Sequence, residues 1–148
     1  MVASFNQIKS KLLFSFQFKI NDSAVYLDHV NRVVKLVWEG RVEKDTAEGL
    51  LTYAADLIEG DVVNRIMLDQ QNLIHFDYAA RQWIKEKFLP NRQDVLLNQL
   101  KKVAVINECS VAALLYGDHS EVTSKISFDR LPLQKFDQTP DAESWLME

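Results

Sequence analysis

The 148-residue chain is short of several residue types, and each shortage removes a class of function. It has one cysteine, Cys109, so no internal disulfide can form and nothing requires an oxidising compartment. No Cys/His signature surrounds that thiol, which reads as a small buried hydrophobe rather than a nucleophile. There are only four glycines, and no G-x-G-x-x-G, P-loop or G-x-S-x-G occurs. Phosphate cradles and nucleophile elbows therefore have no material. The three histidines, His29, His75 and His119, fall in three separate expected loops without metal-ligand spacing, so neither a metal nor a cofactor is expected. A formal net charge of −4 argues against a general nucleic-acid binder. Lys85, Lys87, Arg92, Lys101 and Lys102 lie close in sequence, but Glu86 and Asp94 interleave with them, as on a solvated helix face. No run approaches the roughly 18 apolar residues of a membrane span. The apolar residues of KLLFSFQFKI are interrupted by Ser15, Gln17 and Lys19, so no signal peptide is expected and the cytoplasm is the default.

What is present is the composition of an ordinary globular domain, 47% hydrophobic and 26% charged, at a length that suits one domain spanning 1–148. Residues 1–10 carry no strong period and read as a loose arm. From 12 to 20 the pattern alternates, with Leu12, Phe14, Phe16, Phe18 and Ile20 on one side, which predicts a half-buried strand. Asn21-Asp22-Ser23 is turn chemistry. AVYLD predicts a second strand, His29-Val30-Asn31 a turn, and RVVKLVWEG a third strand ending at Gly40. The period then changes. Ala47, Leu50, Leu51, Ala54, Leu57 and Ile58 form one helical stripe, with Asp45 and Glu48 spaced as a capping box and Gly60 just past the end. RIMLD predicts a short strand buried on both faces. Asp77 is placed to cap a helix carrying Ala80, Trp83, Ile84 and Phe88, which Pro90 should stop. KKVAVIN and LPLQKFD predict two more strands, with 110–130 helical but interrupted near Gly117 and Asp118. Thr139-Pro140 predicts the start of a last helix, with Thr139 as cap and Ala142, Trp145 and Leu146 on its apolar face. Alternating elements after a hairpin opening imply an α/β fold, a mixed sheet with antiparallel N-terminal strands and helices packed on it, with 103–106 a central strand.

That order and its motifs resemble the STAS fold of anti-sigma-factor antagonists, and in particular the SpoIIAA-like branch, akin to CRAL-TRIO lipid-binding domains. The residues carrying the resemblance are VKLVWEG (34–40), RIMLD (65–69), RQWIKEKFLP (81–90), KKVAVI (101–106) and KFDQTPDAESWL (135–146). It covers roughly 24–147, and the strand at 12–20 lies outside it as an addition. The resemblance implies a bacterial, cytoplasmic, non-catalytic regulatory domain that binds another protein. Its alternative implication is a carrier of a small apolar molecule or lipid.

The stretch LDQQNLIHFDYAA (68–80) carries the sharpest question. Asp69 and Asp77 could be a catalytic carboxylate pair, or structural caps of a strand end and a helix. Catalysis would need a perturbed pKa and a cleft. The antagonist pattern places two aspartates eight apart with a phosphorylatable serine next. Here Tyr78, Ala79 and Ala80 follow, and no Ser or Thr occurs from 68 to 80. The stretch therefore reads as a loop shaped like a known switch without the switch residue. Its surface would comprise Asp69, Gln71, Asn72, His75, Asp77 and Tyr78. Phe14, Phe16, Phe18, Trp38, Trp83 and Trp145 read as core, or as the frame of an apolar pocket or dimer surface. Because 12–20 is expected at a sheet edge, a homodimer through that strand is a further expectation.

Overall fold

The N-terminal alternation folds as a hairpin in the computed structural model, which describes residues 12–107 and 132–148. Strand β1 (Ser15–Ile20) pairs antiparallel with β2 (Ser23–Asp28), and β2 with β3 (Val33–Val42). Asn21 takes the left-handed conformation, φ 54°, that lets a two-residue turn join the first pair. Helix α1 (Lys44–Glu59) then carries the chain to β4 (Arg65–Phe76), which lies parallel to β3. Next come α2 (Tyr78–Trp83), a π-helical turn (Ile84–Phe88) and α3 (Leu89–Gln99). Beyond them lie β5 (Lys102–Ile106), β6 (Leu133–Phe136) and α4 (Thr139–Leu146). The described strands form one mixed sheet in the order β1-β2-β3-β4-β5-β6, with β4, β5 and β6 parallel.

The two faces of the sheet are covered differently, and the alternation of β5 states the division. Val103 and Val105 join a large core under α1, α2 and α3, which also holds Leu36, Leu50, Leu68 and Ile84. Ala104 and Ile106 face the other way, into a smaller core with Met67, Ala142, Leu146 and Leu12. Helix α4 supplies Ala142 and Leu146 to this second core, and Trp145 packs beside them. β5 lies between β4 and β6 as an inner strand of the sheet, as its unbroken apolar run predicts.

Several local expectations are corrected by tertiary context. Gly40 does not end β3. It sits at φ 66° inside the strand, beside a register shift, and pairing continues to Val42. The alternation of 12–20 is broken by a bulge between Phe16 and Phe18, so the three phenylalanines do not share one side. Glu43, not Asp45, precedes α1, and no side-chain cap bond forms there. At the far end, Asp61 rather than Gly60 takes the left-handed conformation, φ 61°. Pro90 does not stop its helix. A proline lacks the N–H that an uninterrupted helix would use, and the π-helical turn immediately before it absorbs the register change, so helix continues to Gln99. Thr139 is the first residue of α4, one place later than its expected cap position, which Gln138 holds. The expectations for 1–10, for Cys109, for His119 and for a helix at 110–130 lie outside the described residues.

One polar group organises the turn between β2 and β3. The buried Asp28 carboxylate accepts the backbone N–H of Asn31 at 2.9 Å, the Asn31 side-chain amide at 2.8 Å and the backbone N–H of Leu13 at 2.8 Å. Burial raises its pKa, but the hydrogen bonds from Asn31, Leu13 and Val30 outweigh that and hold the carboxyl below its ordinary 3.8. The same carboxylate thus closes the turn and ties down the segment that leads Leu12 and Phe14 into the second core.

Candidate functional site

The stretch from Gln70 to Phe76 is strand, not loop. β4 runs twelve residues, and its last part pairs with the end of β3: Glu39 with Asn72, Gly40 with Leu73, Arg41 with His75, Val42 with Phe76. Between the Val37–Asp69 and Glu39–Asn72 pairs, β3 advances two residues and β4 three; between Gly40–Leu73 and Arg41–His75, one and two. β4 therefore carries two extra residues in two bulges. Each bulge resets which side chains point inward. Among the described residues β5 reaches only as far as Asp69, so β3 and β4 continue past it as a two-stranded parallel ribbon.

The far end of that ribbon is pinned. Phe76 is buried and packs edge-to-face on Trp38, ring centroids 5.0 Å apart. The Asp77 backbone N–H donates to the Val42 carbonyl at 2.9 Å. Asp77 stands before α2 as expected, yet its carboxylate does not cap the helix. It accepts instead from His75 Nε2 at 3.0 Å and from the Arg41 guanidinium at 3.3 Å, a link across the ribbon. Asp69 is engaged elsewhere: its Oδ1 accepts the Gln71 backbone N–H at 3.2 Å and the Gln71 amide at 3.1 Å. The Gln71 amide also donates to the Thr139 hydroxyl at 3.2 Å, which fastens β4 to the first residue of α4. The two aspartates thus have separate partners, and each has a positional role.

Between these fixed points the ribbon exposes a surface. Gln71 and Asn72 face solvent, Ile74 at the second bulge is 74% exposed, and Tyr78 at the start of α2 is 67% exposed with its hydroxyl bonded to Gln82. Sequence pattern identified Asp69, Gln71, Asn72, His75, Asp77 and Tyr78, and the structure brings all six to the ribbon and its junction with α2. It missed Ile74, Arg41 and Thr139. An apolar residue two places before Phe76 looks like core until the bulge is known. Arg41 and Thr139 come from distant parts of the chain, with no local signal.

The six aromatic positions are not assembled in one place. Trp38 is fully buried against Phe76, Trp83 packs on Phe88, and Phe18 on Tyr53, all in the core under α1 to α3. Phe14 and Trp145 lie across the sheet in the second core, Trp145 against Phe136. Phe16 is 57% exposed and meets Tyr26 edge-on. Two of the basic residues between 85 and 102 are engaged within the protein. Arg92 binds Asp56 and Glu59 of α1, and Lys102 lies over the Trp145 ring while donating to its carbonyl. Among the described residues no cluster of His, Cys, Asp or Glu is placed to hold a metal, and no helix is long and apolar enough to cross a membrane.

No protein-family model matches the chain, and no curated protein matches it. Its fold is SpoIIAA-like. The cell-fate determinant SpoIIAA of Bacillus, in its phosphorylated form, superposes with a TM-score of 0.50 at 11% identity, over 88% of this chain and 96% of that one. An uncharacterised protein with a SpoIIAA-like fold from Shewanella loihica gives 0.49 at 16% identity, over 90% and 92%. SiaC of Pseudomonas aeruginosa gives 0.47 at 11% identity, over 84% and 100%.

Proposed function

We propose that this chain is a non-catalytic regulatory domain that docks on a protein partner through the exposed side of the β3–β4 ribbon and the start of α2. The observation that carries the reading is Ile74 and Tyr78, two large side chains held out to solvent on backbone that pairing and the Phe76 anchor fix in place. Isolated exposed apolar residues are ordinary. Two at one rigid junction, ringed by Gln71, Asn72 and the Arg41–His75–Asp77 link, have the make-up of an interface centre with a polar rim. A photo-crosslinking side chain placed at 74 or 78 should give a discrete adduct in extracts of the native host, and Tyr78→Asp should abolish the one from 74. A crosslinker at the exposed Asn98 on α3 is the control. Equal adducts from 98, or none from 74 and 78, would contradict the proposal.

The regulation differs from a serine switch. With no Ser or Thr from 68 to 80, a Ser/Thr kinase of the anti-sigma class should leave this stretch unmodified, and mass spectrometry after incubation checks it. A phosphate mapped to any residue from 68 to 80 would overturn that expectation. The alternative reading, carriage of a small apolar molecule or lipid, has less support, because the aromatic residues that would frame its pocket are divided between the two faces of the sheet.

Self-association through β1 belongs to the same proposal. β1 is an edge of the described sheet, and edge strands pair readily with another chain. Phe16 and Leu13 are exposed there, whereas Phe18 and Ile20 pack on the monomer's own core. Light scattering should give the mass of a dimer for the intact chain. A monomer at high micromolar concentration ends the idea. Removing residues 1–20 should cost the fold as well as the dimer, since Phe18 and Ile20 go with them.

A further inference from the structure

The side chains facing α1 and α2 form a row across β3 and β4 that is hydrocarbon until its last step. Val34 stands beside Ile66 and Leu36 beside Leu68, all in the large core. Trp38 and Gln70 come next on their strands, one residue past the Val37–Asp69 pair and at the start of the first bulge. The flanking residues confirm the direction of Gln70: Asp69 and Gln71 are bonded to each other, and Gln71 to Thr139 of α4, on the opposite face of the sheet. Trp38 is fully buried and Gln70 is 3% exposed. Trp38 Nε1, Gln70 Nε2 and Gln70 Oε1 each lack a hydrogen-bond partner within the protein. They account for three of the six such buried side-chain atoms among the described residues, on two residues of neighbouring strands. Buried polar groups are nearly always satisfied, and a local cluster of unsatisfied ones calls for a bridging species.

The three atoms define what that species is. The indole N–H only donates, the amide nitrogen donates, and the amide oxygen accepts. An occupant must therefore accept at least two hydrogen bonds and donate one, which is the valence of a hydroxyl oxygen. A carboxylate or phosphate would offer nothing to Oε1, and an ammonium nothing to the two N–H groups. A charged occupant would also have to leave water for a core whose neighbours in the row are Leu36 and Leu68.

We propose that Trp38 and Gln70 form an internal binding site for one uncharged hydroxyl group, supplied either by a water molecule or by a small alcohol. The site lies where β4 leaves register with β3, so its occupant joins the two strands across the first bulge. A crystal structure of the full chain, at a resolution that shows ordered water, tests it. Density should appear within about 3.2 Å of both Trp38 Nε1 and the Gln70 amide. A single-atom peak assigns water, and density that extends after soaking with a small alcohol assigns the alcohol. Crystals of Gln70→Met should lose the peak. Absence of density in the wild type, or a Gln70 amide bonded instead to a protein group, overturns the proposal, whether or not the variant folds.

Discussion

Replacing Phe76 with alanine should destabilise the protein by about 3–5 kcal/mol, the range for removing a buried aromatic ring. Phe76 is buried in the large core against Trp38, at the end of a stretch whose sequence looks like a polar loop. Ile74, two residues earlier, is mostly exposed, and Ile74→Ala should stay within about 0.5 kcal/mol of the wild type. Urea denaturation of the two variants measures the contrast. Domains of this kind are held by only about 5–15 kcal/mol, so the Phe76 variant should remain folded at low temperature but with a much reduced midpoint. Similar small effects at both positions would mean that 70–76 is not packed as a strand. The contrast also matters for function, because loss of Phe76 would release the ribbon that holds Ile74 and Tyr78 in place.

Replacing Asp28 with alanine should cost roughly 2–4 kcal/mol at neutral pH, because a buried carboxylate that accepts several N–H bonds is lost and those donors are left without it. The pH dependence has a definite sign. The Asp28 carboxyl is held below its ordinary 3.8 in the folded protein, so the unfolded chain takes up the proton first as pH falls. Its contribution is fully present above the unfolded value and is lost as pH drops through the folded one. Asp28→Asn should keep part of the turn but lose this dependence. The stability gap between wild type and Asp28→Asn, followed by denaturation from pH 7 downward, should hold steady and then narrow below about pH 4. A gap that widens on acidification would contradict the assignment.

Long apolar periods were legible in the sequence. The stripe of α1, the run of β5 and the face of α4 each followed from residues within the element itself, because burial alone decides them. Where a partner strand decides the pattern, local reading failed. The bulge at Phe16 and Phe18 and the two bulges of β4 shift the inward set by one residue each, and nothing local marks the shift. Glycine inside an apolar run looks like a stop, yet the left-handed backbone of Gly40 lets β3 pass the second bulge and go on. Pro90 looks like a stop because it lacks the helix N–H, and a π-helical turn accommodates it. At the site, the aspartates and their neighbours stood out by spacing. Their partners Arg41 and Thr139, and the orphaned Gln70, depend on contacts between segments far apart in sequence.

Amide hydrogen exchange across 68–80 is the most direct test of the claim on which the function rests, that Ile74 and Tyr78 are displayed by a fixed strand and the helix start behind it rather than carried on a switch loop. The amide of Asp77, bonded to the Val42 carbonyl, and the ladder amides between Asn72 and Phe76 should exchange far more slowly than an unstructured chain. Protection should fall together with that of β3 when Phe76 is replaced by alanine. Free exchange of every amide from Gln70 to Asp77, alongside a protected β5, would show a loop at this position and contradict the account.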